Sequence, residues 1–309
     1  GLCFPIISLI TAFTYLYGNG GAPLCSMERG KGNDKEAEHL MGNAFTLLIG
    51  TGIVLTIIGL IFYKPILYLF GASDDTFPYA GSYIRIYLLG TVFVMVSVGM
   101  NPFINSQGFG NTGMISVLIG AVLNIILDPI FIFVLNLGVR GAAIATIISQ
   151  FCSTVWVLVF LTGKRAVLHL KWSCMWLRWK RVLRIISLGV SSFIMAFTNS
   201  LVQVVCNATL QIYGGDIYVG VMTVLNSVRD ICTLPVMGIT NGASPVMSFN
   251  YGEGAYEKVR KAIRFLTILC VTYTFAAWGT LRLFPEPFIR IFNHSPELIA
   301  KGVPALHIY

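Results

Sequence analysis

The stretch MISVLIGAVLNIILDPIFIF, residues 114–133, is apolar almost throughout and is long enough to cross a bilayer as a helix. It nevertheless contains Asn124 and Asp128. An ionisable side chain at membrane depth costs roughly 2.5 to 3.5 kcal/mol on insertion scales, so it normally faces a bundle interior or a wet cavity. Asp128 is therefore a candidate functional residue. The alternative is that it pairs with an arginine or caps a kinked helix.

The residues next to Asp128 make this segment more polar. Asn124 lies four residues earlier, so a helix places both side chains on one face. Pro129 has no N–H, and it leaves the carbonyl of Ile125 without its helical partner. A carboxylate, an amide oxygen and a free carbonyl can together receive a small cation or a proton. The sequence thus predicts a site of this kind within the membrane.

The whole chain has the composition of an all-α, polytopic membrane protein. Of its 309 residues 56% are hydrophobic and 11% charged, with a mean hydropathy of +0.77. The seven cysteines are scattered without a C-x-x-C pair, which argues against a metal site or a disulfide framework. The predicted spans are 1–26, 42–62, 80–105, 112–136, 142–162, 185–213, 217–249 and 260–283, with a ninth that begins near 298.

Loop charges orient these spans. One side carries fourteen Lys and Arg residues and the other five, so the positive-inside rule predicts that the first side is cytoplasmic. The net charge of +8 is distributed between the loops as the positive-inside rule predicts, and we expect no nucleic-acid partner. The cytoplasmic loops are 27–40, 107–110, 163–184 and 250–264. Seven basic residues and three tryptophans in 163–184 predict a segment that lies at the membrane surface.

An internal repeat divides the chain. An offset of 222 residues aligns 20–87 with 242–309 without a gap, and the eleven identities fall at corresponding span ends and turns, such as Gly30 with Gly252. Six spans per repeat predict twelve in the intact protein, arranged as two parallel six-helix lobes related by an axis along the membrane normal. By this count we expect the chain to lack the first helix of one lobe and the last helices of the other.

The repeat also predicts the domain organisation. The N-terminal lobe would occupy 1–162, a basic cytoplasmic linker 163–184, and the C-terminal lobe 185–309.

Five motifs, in order along the whole chain, resemble the multidrug and toxic compound extrusion (MATE) family, nearest its bacterial branch. They are GNGGAPLCSMERGKGNDKEA, SQGFGNTGM, N-x-x-x-D-P, GVRGAAIAT and GITNGASPVMSFNYGEG. The resemblance implies a plasma-membrane antiporter, not an enzyme, that exports small organic compounds of the cationic, multidrug type by alternating access. It also implies a monomer in the lipid bilayer with no cofactor besides a coupling ion, H⁺ or Na⁺.

Family members with a characterised cation site use the Asn and Asp of N-x-x-x-D, a Thr on the next helix, and an acid on a first helix that this chain lacks. The first three fall on Asn124, Asp128 and Thr146. Independently, two antiparallel helices that turn near Leu137 place Asp128 level with Thr146 and Asn124 level with Gln150. We expect these four to share one layer, with no metal beyond a possible Na⁺. The other interpretation of Thr146 is a hydroxyl bonded to its own helix.

Five polar residues interrupt the spans of the second lobe. They are candidates for lining a central substrate cavity, or for neutralising partners on neighbouring helices. They are Gln203, Asn207, Asn226, Arg229 and Asp230.

Two other functions remain open. A lipid-linked oligosaccharide flippase of the same superfamily would be expected to line its cavity with several arginines, and only Arg229 is obvious. An integral-membrane enzyme would need a His/Asp/Glu or Ser/His cluster at one membrane face, yet the four histidines lie far apart.

Overall fold

The computed structural model describes residues 3–70, 74, 76–292 and 295–308, and it describes their side chains except at 207, 208, 211, 212, 214–216, 219, 297, 307 and 308. Every regular element in this part of the chain is helical. The α-helices are α1 (Phe4–Gly30), α2 (Asp34–Leu69), α3 (Phe77–Leu89), α4 (Thr91–Asn105), α5 (Gly110–Pro129), α6 (Gly138–Thr162), α7 (Trp179–Gly252), α8 (Tyr256–Leu283), α9 (Pro285–Arg290) and α10 (Pro296–Ile308). A π-helix, Ile130–Val134, continues α5, and a 3₁₀ turn, Trp172–Cys174, precedes α7.

Five stretches of the described residues are long and apolar enough to cross a membrane, and six if α3 and α4 form one broken span. They are Asp34–Leu69, Gly110–Val134, Gly138–Thr162, Trp179–Cys206 and Tyr256–Leu283. The predicted spans 1–26, 217–249 and the one near 298 coincide with helical residues but are not among these stretches. The all-α membrane class predicted from composition is confirmed.

The third predicted span is broken. Instead of one helix over 80–105, α3 and α4 meet at Gly90 and are bent by 57°. Ile147 of α6 occupies the position that a β-carbon on residue 90 would take. The span predicted over 80–105 is therefore present as a bent pair of helices, and the bend could not be predicted because Ile147 lies 57 residues away in the sequence.

Helix α7 turns back on itself. Its 74 residues are helical without a described interruption, where the sequence predicted two spans. Gly189 contacts the carbonyl of Leu16, and Gly252 contacts that of Met27. Leu16 and Met27 lie roughly 16 Å apart on α1, whereas a straight helix from Gly189 to Gly252 would span about 95 Å. The segment therefore reverses direction between its two contacts with α1, as two antiparallel spans require.

The chain divides into two compact units. The first comprises Gly1–Ser200 and Ser248–Gly254, and its core includes the fully buried Leu40, Met95 and Phe103. The second comprises Leu201–Met247 and Ala255–Tyr309, with Val224 and Leu225 of α7 packed near Ile289 and Leu298. The predicted lobes 1–162 and 185–309, joined by 163–184, are a different division of the chain and stay a prediction.

The first unit contains a reciprocal helix crossing between repeat-equivalent residues. Gly30 packs on the carbonyl of Phe249, and Gly252 packs on the carbonyl of Met27. The 222-residue offset converts Gly30 into Gly252 and Met27 into Phe249, so each contact is the repeat-equivalent of the other. Reciprocal contacts of this kind arise at a two-fold axis. We call these four residues the glycine crossing.

The linker 163–184 is tied to the ends of α2 and α4. Its first part is extended and buries alternate residues, so that Leu168 and Leu170 pack inward. The backbone N–H groups of Val167 and Leu168 both donate to Oε1 of Gln107, each at 2.9 Å. The structure thus gathers the predicted cytoplasmic segments at one end of the unit.

Asn43 holds the second part of the linker. Its side chain is fully buried. Nδ2 donates to the carbonyls of Cys174 and Trp176, each at 3.1 Å, and Oδ1 accepts from the N–H of Arg178 at 2.9 Å. Thr46, one helical turn further along α2, donates to the carbonyl of Met175 at 2.8 Å. Two polar side chains of α2 therefore satisfy the backbone of the turn that precedes α7.

Replacing Asn43 by alanine should leave the linker's backbone groups unsatisfied. We expect a loss of about 1–3 kcal/mol in the free energy of unfolding, because buried polar groups lose their partners. Thermal unfolding in detergent measures it. Thr162→Ala is the matched control, since its hydroxyl donates to its own helix at Leu158. Equal melting temperatures for Asn43→Ala and the unaltered protein would contradict this account.

Candidate functional site

Two helices of the first unit, α5 and α6, bring three of the predicted site residues together. α5 carries Asn124 and Asp128 one turn apart, and α6 returns antiparallel with Thr146 facing them. The turn between α5 and α6 contains Asn136 at a φ of 51° and Gly138 at a φ of 53°, and this left-handed pair closes the short connection.

Asn124 is the centre of the cluster. Its Nδ2 lies 3.3 Å from Oδ1 of Asp128 and 3.5 Å from Oγ1 of Thr146. Thr146 donates its own proton to the carbonyl of Ala142 at 2.9 Å, so its oxygen lone pairs are left to accept. Both interpretations of Thr146 therefore hold: the hydroxyl bonds its own helix and also faces the polar pair.

Asp128 has neutral neighbours. None of the ion pairs among the described residues includes it. Arg85, the basic residue within α3, lies instead over the ring of Tyr63, 5.8 Å from its centre. Asp128, Asn124 and Thr146 are each half-buried. The pairing with an arginine that the sequence left open is thus not found in the described part of the chain.

The sequence analysis missed Tyr83 of α3. This tyrosine hydrogen-bonds Thr146 and lies within electrostatic reach of Asp128. A cavity of about 540 Å³ opens beside it and is also lined by Phe4, Ile7 and Tyr79. Tyrosines are common in membrane helices, so no pattern singled Tyr83 out before α3 was known to pack on α6.

The backbone beyond Asp128 is irregular, as Pro129 predicts. α5 ends at this proline and continues as the π-helix, in which the N–H of Leu135 bonds the carbonyl of Ile130 at 2.9 Å. Short π segments within helices occur frequently at functional sites. Here the segment re-aims the chain immediately after the carboxylate.

Gln150 does not join the cluster. Its Oε1 instead accepts a 2.6 Å hydrogen bond from Ser97 of α4. Gln150 lies one helical turn from Thr146 on the same face of α6, so the equal-depth argument gave its position but not the partner that its amide binds. We therefore leave Gln150 out of the set proposed below.

The second-unit candidates are not gathered in the same way. Arg229 and Asp230 form an ion pair, with 3.3 Å between Nη2 of the arginine and Oδ1 of the aspartate. Both side chains are exposed. Asn226 is buried and Gln203 half-buried, and the side chain of Asn207 lies outside the described residues. A substrate cavity lined by these five stays a prediction.

The atoms of this cluster that could bind a cation are the carboxylate oxygens of Asp128, the hydroxyl of Thr146 and the amide oxygen of Asn124, and oxygen ligands suit a hard cation or a proton. No group of three or more His, Cys, Asp or Glu side chains that could hold a metal ion occurs in the described residues.

Comparison with known proteins gives the same assignment as the motifs. The MatE family model matches residues 1–130 and 191–309. The multidrug export protein MepA of Staphylococcus haemolyticus is 25% identical over 308 residues, which cover 99% of this chain and 68% of that protein. The probable multidrug resistance protein NorM of Thermotoga maritima is 28% identical over 274 residues, or 87% of this chain and 59% of that protein.

A solved structure adds the fold. The MATE multidrug transporter DinF-BH superposes with a TM-score of 0.90 at 33% identity, over 99% of this chain and 69% of that one. These matches do not confirm the expectation that helices are missing: they run over 87–99% of this chain, which spans 59–69% of the length of the three proteins.

The family model covers most of the chain, the fold agrees, and the relatives are export proteins. The chain therefore belongs to the MatE family and is a multi-pass membrane transporter, not an enzyme.

Proposed function

We propose that this protein is a secondary active transporter that exports small organic cations in exchange for H⁺ or Na⁺. The observation that supports it best is Asp128, a half-buried carboxylate on a membrane helix that accepts a hydrogen bond from the neutral amide of Asn124 and forms no ion pair with any described residue. The names of the relatives, multidrug export and multidrug resistance proteins, support the substrate class. The bacterial branch of the family and a monomeric state are part of the same proposal.

Coupling would follow from the charge of Asp128. When the carboxylate takes up a proton or Na⁺, its charge is neutralised at membrane depth and the cost of burying it falls. The helices around it can then pack more tightly, which shifts the balance between two conformations. The oxygens of Asn124 and Thr146 would complete the shell of the ion, and the irregular backbone after Pro129 would let α5 adjust.

Alternating access would use the glycine crossing. Its four residues bring α1, from the predicted N-terminal lobe, against the end of α7, from the predicted C-terminal lobe. Within a membrane the hydrophobic effect does not drive helices together, so they associate through close packing of their backbones at small residues. We propose that this contact closes the cytoplasmic side and that it separates when the protein opens inward.

The flippase alternative is less favoured. A cavity for a lipid-linked phosphate would need unpaired arginines, and Arg229 is paired with Asp230.

Asn124→Ala and Thr146→Ala test the ion site without removing its charge. Each deletes one neutral oxygen ligand, so the concentration of H⁺ or Na⁺ that gives half-maximal export should rise about 2- to 10-fold. Export of a fluorescent organic cation from proteoliposomes, measured against stepped pH and Na⁺ gradients, gives this value.

Ser149→Ala is the matched control for Thr146→Ala. It lies on the same helix and its hydroxyl donates to the carbonyl of Ala145, at 2.8 Å. The proposal fails if Asn124→Ala and Thr146→Ala keep the ion dependence of the unaltered protein, as Ser149→Ala should.

A further inference from the structure

The basic residues of the linker fall into two groups, and the first group is neutralised. Lys171 pairs with Glu38 at 2.8 Å, while Arg181 and Arg184 pair with Glu36 and Glu28, each at 2.6 Å. Burial raises the pKa of Glu28, but hydrogen bonds from Arg184 and Lys31 outweigh it, and the pKa lies below its ordinary value. The pairing of Glu28 therefore stabilises the fold at neutral pH and is lost as the pH falls through the lowered pKa.

The second group points into solvent. Lys164, Arg165, Arg178 and Lys180 are exposed, and none forms an ion pair with an acidic residue in the described part of the chain. The same stretch exposes three large aromatic side chains. Trp172 is 85% exposed, Trp176 80% and Trp179 71%.

These tryptophans are held by a fixed backbone. Asn43 and Thr46 bond the peptide groups of Met175, Trp176 and Arg178, and the N–H of Cys174 closes the 3₁₀ turn on the carbonyl of Lys171 at 2.9 Å. A buried set of hydrogen bonds thus presents three indole rings outward. Because these rings are exposed, they do not contribute to the hydrophobic core.

Both ends of the linker lie at the membrane surface. The candidate span Gly138–Thr162 ends just before it, and the candidate span Trp179–Cys206 begins at its last tryptophan. Indole rings prefer the level of lipid headgroups, and Lys and Arg on the cytoplasmic side attract anionic lipids.

We propose that the three exposed tryptophans and these four cations form a binding surface for anionic phospholipids of the cytoplasmic leaflet. The lipid phosphates contact Arg178 and Lys180, which flank the last tryptophan, with Lys164 and Arg165 at the other end of the linker. The three indole rings lie among the glycerol and headgroup atoms. Charge complementarity selects phosphatidylglycerol-like headgroups over zwitterionic ones, and this surface is separate from the ion site at Asp128.

Quenching of tryptophan fluorescence by brominated lipids tests the proposal on the full chain. A Trp156→Phe/Trp278→Phe background leaves only the three linker tryptophans as reporters. The protein is placed in bilayers of phosphatidylcholine and phosphatidylglycerol in equal amounts, with the bromine on one lipid or the other. We expect stronger quenching by the brominated phosphatidylglycerol, and less difference at high salt.

Arg178→Gln/Lys180→Gln in that background should lower the preference for phosphatidylglycerol, by up to about fivefold for each cation removed. The matched control is Lys64→Gln/Arg140→Gln, which removes the same charge from the predicted outer side and should keep the preference. Equal quenching by the two lipids in the reporter protein would overturn the proposal. So would an unchanged preference in Arg178→Gln/Lys180→Gln, or a fluorescence change produced by an acidic polypeptide or duplex DNA but not by the anionic lipid.

Discussion

Asp128→Asn should abolish export driven by an ion gradient while substrate binding persists. Asparagine keeps the shape of the side chain and its distance to Asn124 but removes the charge that H⁺ or Na⁺ would neutralise. Coupling free energies between two ligands are typically about 1–3 kcal/mol, so that one ligand changes the affinity for the other about 5- to 150-fold. In Asp128→Asn the ion should no longer change the affinity for the substrate. Export from proteoliposomes under imposed H⁺ and Na⁺ gradients, with binding measured separately, provides the comparison.

A purely structural role for Asp128 leads to the opposite result. Removing an unneeded charge from a partly buried site should be neutral or stabilising, and export should survive. Asp34→Asn is the control for loss of one carboxylate, because Asp34 is the exposed first residue of α2 and contacts Arg29 only at 3.9 Å. If Asp128→Asn keeps full gradient dependence, coupling lies elsewhere, and Asp230 is the next residue to test.

Gly252→Leu should produce the second large effect. A β-carbon at this position meets the carbonyl of Met27, so a leucine forces α1 and the end of α7 apart. Overpacking costs about 1–3 kcal/mol. If the crossing closes the cytoplasmic side, that cost falls on the closed conformation alone, and its population should fall about 5- to 150-fold relative to the open one. Transport should slow accordingly while the protein still inserts.

Cross-linking reports the conformation directly. With cysteines at Met27 and Phe249, a short thiol cross-linker should react readily in the otherwise unaltered protein and poorly when Gly252→Leu is added. Gly242→Leu is the matched control, because it lies on the same helix with no described atom near the position of its β-carbon. Normal export and normal cross-linking in Gly252→Leu would show that the crossing does not gate transport.

Much of this organisation could be predicted from sequence because it depends on hydrophobic length and on local spacing. The apolar runs predicted α2, α5, α6 and α8. The four-residue interval between Asn124 and Asp128 predicted their contact. The turn predicted near Leu137 placed Thr146 level with Asp128, since antiparallel neighbours with a tight connection have little freedom in register, and the family resemblance assigned Thr146 to the site.

Features that depend on distant partners could not be predicted. The break at Gly90 requires Ile147, and the engagement of Tyr83 requires α3 to pack on α6. The depth argument placed Gln150 level with Asn124 but could not show that Ser97 of α4 would bind its amide oxygen. The hydrogen bonds from Asn43 to the linker could not be predicted either, because the sequence does not show which peptide groups a single asparagine in an apolar helix will contact.

Movement of the coupling ion in response to the substrate tests the central claim most directly. Proteoliposomes with equal pH and Na⁺ on both sides receive an outward gradient of a fluorescent organic cation, and internal H⁺ and Na⁺ are followed with indicator dyes. We predict that one of the two ions enters as the substrate leaves, and that this entry is absent in Asp128→Asn. Substrate exit with no movement of either ion in the unaltered protein, or the same ion entry in Asp128→Asn, would contradict coupling at this carboxylate.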